Sequence, residues 1–266
     1  MPDNPTVTLK LPAAGPLLLA QIRYQARLLL SNGRTVVTCI GLPVLMLITS
    51  VSHGHISPSI VAGRAVFGLT LAAWNVHGVR LVTAREAGIL KRWWASPLPR
   101  WCYFAGRVVA TVAVGVLAGA ATIAVAVFLY NTHLTADAAL DVLIAFILGA
   151  AAWAAAATAA TSVIPTVDAA APIFILIYFP VVIVSGVLGA ISEPHWLSTL
   201  ATYLPAKPLA EAASSALHHA HGAPLLPGHD LLILAVWAAV GLAAAIVTFR
   251  WEPHRPATKR PARANR

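Results

Sequence analysis

Ten histidines, two cysteines and nine carboxylates are the groups in this 266-residue chain that can ligate metal, relay protons or attack a substrate. His53 and His55 stand two apart, and His218, His219 and His221 form a second group. Neither group has the carboxylate or thiolate spacing that completes a tetrahedral metal set, so both read as solvated loop histidines. His77 falls inside an apolar run beside Asn75. A polar pair at membrane depth suits either a functional site or a helix–helix hydrogen bond. No H-E-x-x-H or nucleophile–base pair appears, which argues against a membrane-embedded enzyme. An ion-coupled secondary carrier places acids near the midplane, whereas Asp137, Asp141, Asp168, Glu193 and Asp230 fall at the ends of apolar runs. Cys39 sits in an apolar run and Cys102 beside a charged loop, so no structural disulfide is expected. The chain also lacks a G-x-x-x-x-G-K-[ST] run and does not bind ATP through a P-loop.

With chemistry this sparse, the elements that hold these groups carry the argument. The chain is 59% hydrophobic and 10% charged, where a soluble domain is about 25% charged. Its mean hydropathy is +0.78, so it reads as an all-α integral membrane protein. Six windows approach the ~20 apolar residues that span the hydrocarbon layer. They are Thr35–Val51, Ile60–Val82, Tyr103–Tyr130, Leu140–Ile164, Ala169–Ile191 and Asp230–Arg250. Continuous apolar runs, without alternation, exclude a β-barrel. Pro16–Ser31 interleaves leucines with Gln21, Arg23, Gln25 and Arg27 and predicts an amphipathic helix in the inner interface. Pro43 should kink the first span, and Pro172 and Pro180 should break or bend the fifth twice. Gly115 and Gly119, and the alanines from Ala150 to Ala160, are spaced for tight helix contacts. Pro194–Leu217 is too polar to span and too apolar for a free loop. It predicts two short re-entrant outer helices, with Trp196 and Tyr203 at the headgroups and Lys207 paired with Glu211.

The chain thus divides into an N-terminus (1–34), a single transmembrane domain (35–250) and a basic tail (251–266). The net charge of +9 is distributed unevenly. With both termini inside, nearly every Lys and Arg faces the cytoplasm, leaving Arg64 and Lys207 outside. Membrane topology therefore accounts for the charge, and no nucleic acid is needed.

Between the second and third windows lies TAREAGILKRWWASPLPRWCYFAG, the one long charged, helix-forming stretch flanked by two spans. It predicts a helix over Ala84–Ala95, with Thr83 as cap and Glu86 completing a capping box. Ile89, Leu90 and Trp93 lean to one side, and Glu86, Lys91 and Arg92 carry charge. This is the pattern of a cytoplasmic docking helix, and equally of an ordinary amphipathic loop helix. Among the spans, Asn75, His77, Phe179, Ser185 and Gly186 are the polar or irregular points from which a substrate path through the second and fifth spans could be built.

Glu86, Gly88, Leu90, Lys91, Arg92, Ala95, Ser96, Pro97, Gly106 and Arg107, in this order after the second span, resemble the coupling-helix region of ABC type-2 permeases. A second landmark resembles the end of that family's fifth span and its outer helices: Phe179, Pro180, Ser185, Gly186 and Val187, then Pro194, Trp196 and Leu197, then Leu204, Pro205, Pro208 and Leu209. Trp93 and Trp94 depart from it, standing where the family often has smaller apolar residues. The resemblance implies the transport subunit of an ATP-driven exporter in the bacterial cytoplasmic membrane. It further implies ATP and Mg held by two copies of a separate ATPase, a second permease chain (identical or related), and a cargo that is a drug, antibiotic, lipid or glycolipid, or a polysaccharide. On the same ground Glu86, Gly88, Ile89, Leu90, Lys91, Arg92 and Trp93 would be the ATPase-coupling residues.

Overall fold

The computed structural model describes residues 14–50, 56–90, 100–132, 134–189, 194–218 and 228–248. Among these the architecture is all-α, with no strand. We number the helices α1 (Ala14–Leu30), α2 (Gly33–Thr49), α3 (Pro58–Glu86), α4 (Arg100–Tyr130), α5 (Ala136–Ala160), α6 (Val167–Val184), α7 (His195–Tyr203), α8 (Ala206–His218) and α9 (Gly228–Thr248). Five of the described helices, α3 to α6 and α9, are long and apolar enough to cross a membrane alone; the pair α1–α2, bent by 79°, makes a sixth span if taken together. The chain is a multi-pass membrane protein.

Local chemistry explains where the helices differ from the hydropathy windows. α5 starts before Leu140 because the Thr135 hydroxyl accepts the Ala138 N–H at 3.2 Å, with Asp137 in the first turn. It stops at Ala160, short of Ile164, because Pro165 disfavours helix in the residue before it. Thr166 caps α6 in the same way through the Ala169 N–H, at 3.3 Å. α6 passes through Pro172 and Pro180 as one continuous helix, not the broken one the sequence suggests, and ends at Val184, well before Ile191. The stop is a turn in which Gly186 takes φ +69°, a left-handed conformation open to glycine. α2 and α3 each contain a π-helical turn: Val37–Gly41 lies just before Pro43, where the sequence marks a disturbance, whereas neither hydropathy nor proline marks Ala72–Val76.

α3 is the hub. Of its most apolar window 72% is buried within the chain, against 22% for α6 and 17% for α9. Lipid is as apolar as leucine, so close backbone approach and hydrogen bonds, not burial of area, hold such helices together. Gly115 accordingly faces the Leu69 carbonyl, Gly119 abuts the Phe146 ring, and Gly241 of α9 lies where a Cβ would stand 2.9 Å from the Ala156 nitrogen. α1 packs along the start of α4, burying Gln21, Gln25 and Leu29 and exposing Leu19, Tyr24 and Leu28.

Two short helices follow α6 within the stretch Pro194–Leu217. α8 buries Leu209, Ala212, Ala213 and Ala216, one helical stripe, against α3 and α5. Trp196 and Tyr203 are exposed. Lys207 departs from its expected pairing with Glu211 and donates instead to the Ser198 carbonyl at 3.4 Å, because α7 folds back within its reach.

Candidate functional site

The end of α3 at Glu86 is built differently from the helix predicted over Ala84–Ala95. No breaker precedes Gly88, so the span runs on through Thr83, whose hydroxyl bonds the Val79 carbonyl inside the helix and caps nothing. The helix closes at Glu86. The Ala87 and Gly88 N–H groups return to the Thr83 and Arg85 carbonyls at 2.9 and 3.1 Å, and Gly88 takes φ +67°. A new helical turn starts at Ile89 and Leu90. A Cβ on Gly88 would meet nothing within 4 Å, so this glycine is there for its backbone angle and not for close approach within the chain. Gly88→Ala is expected to cost about 1–2 kcal/mol through that angle alone. Gly88→Asn should cost less, since Asn tolerates the left-handed region; thermal unfolding of the two purified variants checks the order.

Leu90 is fully buried against Ala84, Tyr103 and Phe104, so it anchors the segment to its own chain and is not free to enter a partner. Ile89 is exposed at 40% and remains available. Glu86 lies 2.9 Å from the Nε of Arg85. Lys91, Arg92 and Trp93 lie outside the described residues.

Arg85 was counted from sequence only as a cytoplasmic charge, yet it is the most buried cation among the described residues of this end, 2% exposed. Its Nη1 donates to the Thr161 carbonyl at 2.8 Å and its Nη2 to the Ile164 carbonyl at 2.6 Å. These are end groups of α5 and its following turn, which have no helical partners of their own, and a cation there opposes the helix dipole. One side chain thereby ties the turn at Gly88 to the α5–α6 connection.

At the opposite end Arg64, also missed, is buried in α3. It donates through Nε and Nη2 to the Ser50 hydroxyl at 3.3 and 3.0 Å and through Nη1 to the Val187 carbonyl at 3.4 Å. Gly63 lies against the same carbonyl so closely that a Cβ would collide with it. The end of α2 and the turn after α6 are thus both held on α3. An arginine inside an apolar run was the available sequence signal.

A family model described as ABC-2 type transporter matches residues 21–218. The chain belongs to the ABC-2 type transporter family. That match runs from α1 to the end of α8 and covers the turn at Gly88, both arginine clamps and the outer helices. A comparison with curated proteins finds no matching relative. In this permease the polypeptide is a transport subunit and is not itself catalytic.

Among α3 to α6 the permease has a packed polar and aromatic seam. His77 bridges Thr111 through Nδ1 at 2.9 Å and Thr158 through Nε2 at 3.0 Å. The Trp74 indole donates to the Phe174 carbonyl at 2.8 Å, and Tyr178 donates to the Phe67 carbonyl at 3.0 Å. Trp74, Trp153, Phe174 and Tyr178 stack edge to face with centroids 5.2–5.8 Å apart. His77 is 2% exposed, so its contacts are those of a helix–helix bond. His77→Leu is expected to cost about 1 kcal/mol, since intramembrane hydrogen bonds average roughly 0.6 each. Loss of transport at near-normal stability would instead mark His77 as a proton-handling group; denaturation in mixed micelles beside a transport assay separates the two.

The remaining path residues are set apart from His77. Phe179 is partly exposed on the open face of α6, while Asn75 presents a buried Oδ1 and Ser185 a buried Oγ, both without a hydrogen-bond partner. Gly186 supplies the turn beside Ser185. Among the metal-ligating candidates, the His218 Nε2 lies 3.2 Å from the Ser59 hydroxyl, and His53, His55, His219 and His221 lie outside the described residues.

Proposed function

We propose that this permease exports an amphipathic or apolar cargo, of the drug, antibiotic, lipid or glycolipid class, from the cytoplasm or inner leaflet. ATP hydrolysis by a separate chain powers it. Membership of the ABC-2 type transporter family, which implies an ATPase partner, is the observation that carries this reading. Two ATPase copies, holding ATP and Mg, dock at the turn after α3, where the exposed Ile89 stands beside the Arg85–Glu86 pair. A second permease chain, identical or related, covers the open face of α6, which exposes Ile175, Leu176, Ile177, Phe179 and Ile183. The cargo route runs between the two chains past Phe179, Ser185 and Gly186 and alongside Asn75. Buried oxygens without partners are costly unless water or a ligand reaches them, and apolar walls with few polar points suit an amphipathic cargo. The charge distribution supports cytoplasmic placement of both termini in a bacterial inner membrane.

The test is transport of a fluorescent amphipathic dye in inverted vesicles containing the permease and its cognate ATPase. ATP should drive accumulation, and a proton gradient without ATP should not. Accumulation driven by the gradient alone would favour the secondary carrier.

A further inference from the structure

Beside the Gly88 turn, α1, α3 and α4 enclose a cavity of about 340 Å³. Two guanidinium groups line it, Arg80 from α3 and Arg107 from α4, together with Tyr24, Asn32, Leu28 and Ile89, and no carboxylate lines it. Arg80 spends one N–H on the Leu28 carbonyl at 3.1 Å. Arg107 is 8% exposed, donates from Nη1 to the Tyr103 hydroxyl at 3.1 Å, and leaves its Nε buried with no partner. A buried cation without a counter-charge is costly, and an unpaired guanidinium N–H adds to that cost. The ion pairs of the described residues, Arg85–Glu86 and His229–Asp230, involve neither arginine. Two guanidiniums, a phenol and an amide lining one cavity make a phosphate-binding set, because the planar fork matches phosphate oxygens.

We propose that this cavity binds the phosphate headgroup of an anionic lipid of the inner leaflet. The volume holds a phosphate and a small polar headgroup but not acyl chains. The chains have a place beside it: Leu28 and Ile89 at the rim are 41% and 40% exposed. Basic pockets between helices on the cytoplasmic side are suited to such headgroups. The bound lipid would join α1 to the segment after α3, so it acts on the coupling turn whatever the cargo is.

The experiment is native mass spectrometry of the full chain in micelles, titrated with dioleoyl phosphatidylglycerol, with dioleoylglycerol, and with inorganic phosphate. Phosphatidylglycerol should be retained, and dioleoylglycerol, which lacks the phosphate, should not. Arg80→Gln and Arg107→Gln should each weaken retention by about tenfold, the scale of one charge-assisted bidentate contact. Arg23→Gln and Arg27→Gln, on the exposed side of α1, should leave it unchanged. If Arg107→Gln does not fold, Arg80→Gln alone carries the comparison. Equal weakening by the α1 variants would show general attraction to a basic surface and overturn the site. Retention of inorganic phosphate as strong as that of the lipid would make it a soluble-anion site and overturn the lipid assignment. Unchanged retention in Arg80→Gln would overturn both.

Discussion

Arg85→Met is expected to lower the stability of the permease by about 3 kcal/mol and to uncouple what remains folded. The substitution keeps much of the volume but withdraws two charge-assisted bonds, to the Thr161 and Ile164 carbonyls, and one contact of Glu86. Each bond to a charged donor contributes about 1.5–3 kcal/mol, and removing one member of a buried pair generally costs about 3–5. Exposure of Glu86 at 19% puts the expectation at the low end. Arg85→Lys should recover less than half, because an ammonium cannot reach two carbonyls as the guanidinium fork does. Denaturation of the three proteins in mixed micelles gives the ordering. An unchanged midpoint in Arg85→Met would mean that the α5–α6 connection is held by packing alone.

Gly63→Val should be as damaging for a different reason. A Cβ at this position collides with the Val187 carbonyl, and a backbone oxygen cannot swing aside as a side chain can. Overpacking of this kind costs about 1–3 kcal/mol, and the displaced carbonyl also leaves the Arg64 Nη1. The turn Ser185–Gly186–Val187 would move off α3, so cargo-stimulated ATP hydrolysis should fall even in protein that still folds. Gly228→Val, at a site where a Cβ meets nothing within 4 Å, is the matched control and should be near neutral. Comparable losses at both positions would show that the helix pairing does not depend on contact at Gly63.

Much of this was legible in the sequence because membrane helices follow simple constraints. Apolar runs near the required length and poor in charge gave the spans, and the excess of polar residues in Pro194–Leu217 gave α7 and α8. What was missed depends on partners far along the chain. Arg85 and Arg64 meet carbonyls 76 to 123 positions away; the apolar run marked Arg64 but not its partners, and no local pattern distinguishes Arg85 from an arginine that only sets orientation. Arg107 lay within the resemblance to the coupling region, but its unpartnered Nε and the cavity it lines belong to the fold. Gly88 entered only as part of the coupling-region motif, and its left-handed turn that ends α3 belongs to the fold. Thr83 shows the limit of a capping rule: the motif was present, but the apolar span upstream had not ended. α6 shows the same limit for proline, since its helix passes both prolines and yields only at Gly186.

Co-purification of the cognate ATPase with the permease and with its Glu86→Arg and Gly88→Trp variants tests most directly whether the turn after α3 is where ATP hydrolysis is coupled to transport. Glu86→Arg places a cation beside Arg85, and Gly88→Trp forces a bulky residue into a left-handed turn at the same surface. Both variants should stay inserted in the membrane and dimeric while the ATPase dissociates or hydrolyses ATP without export. Full retention of the ATPase together with normal export in both variants would contradict the account and reduce the segment to an ordinary surface loop.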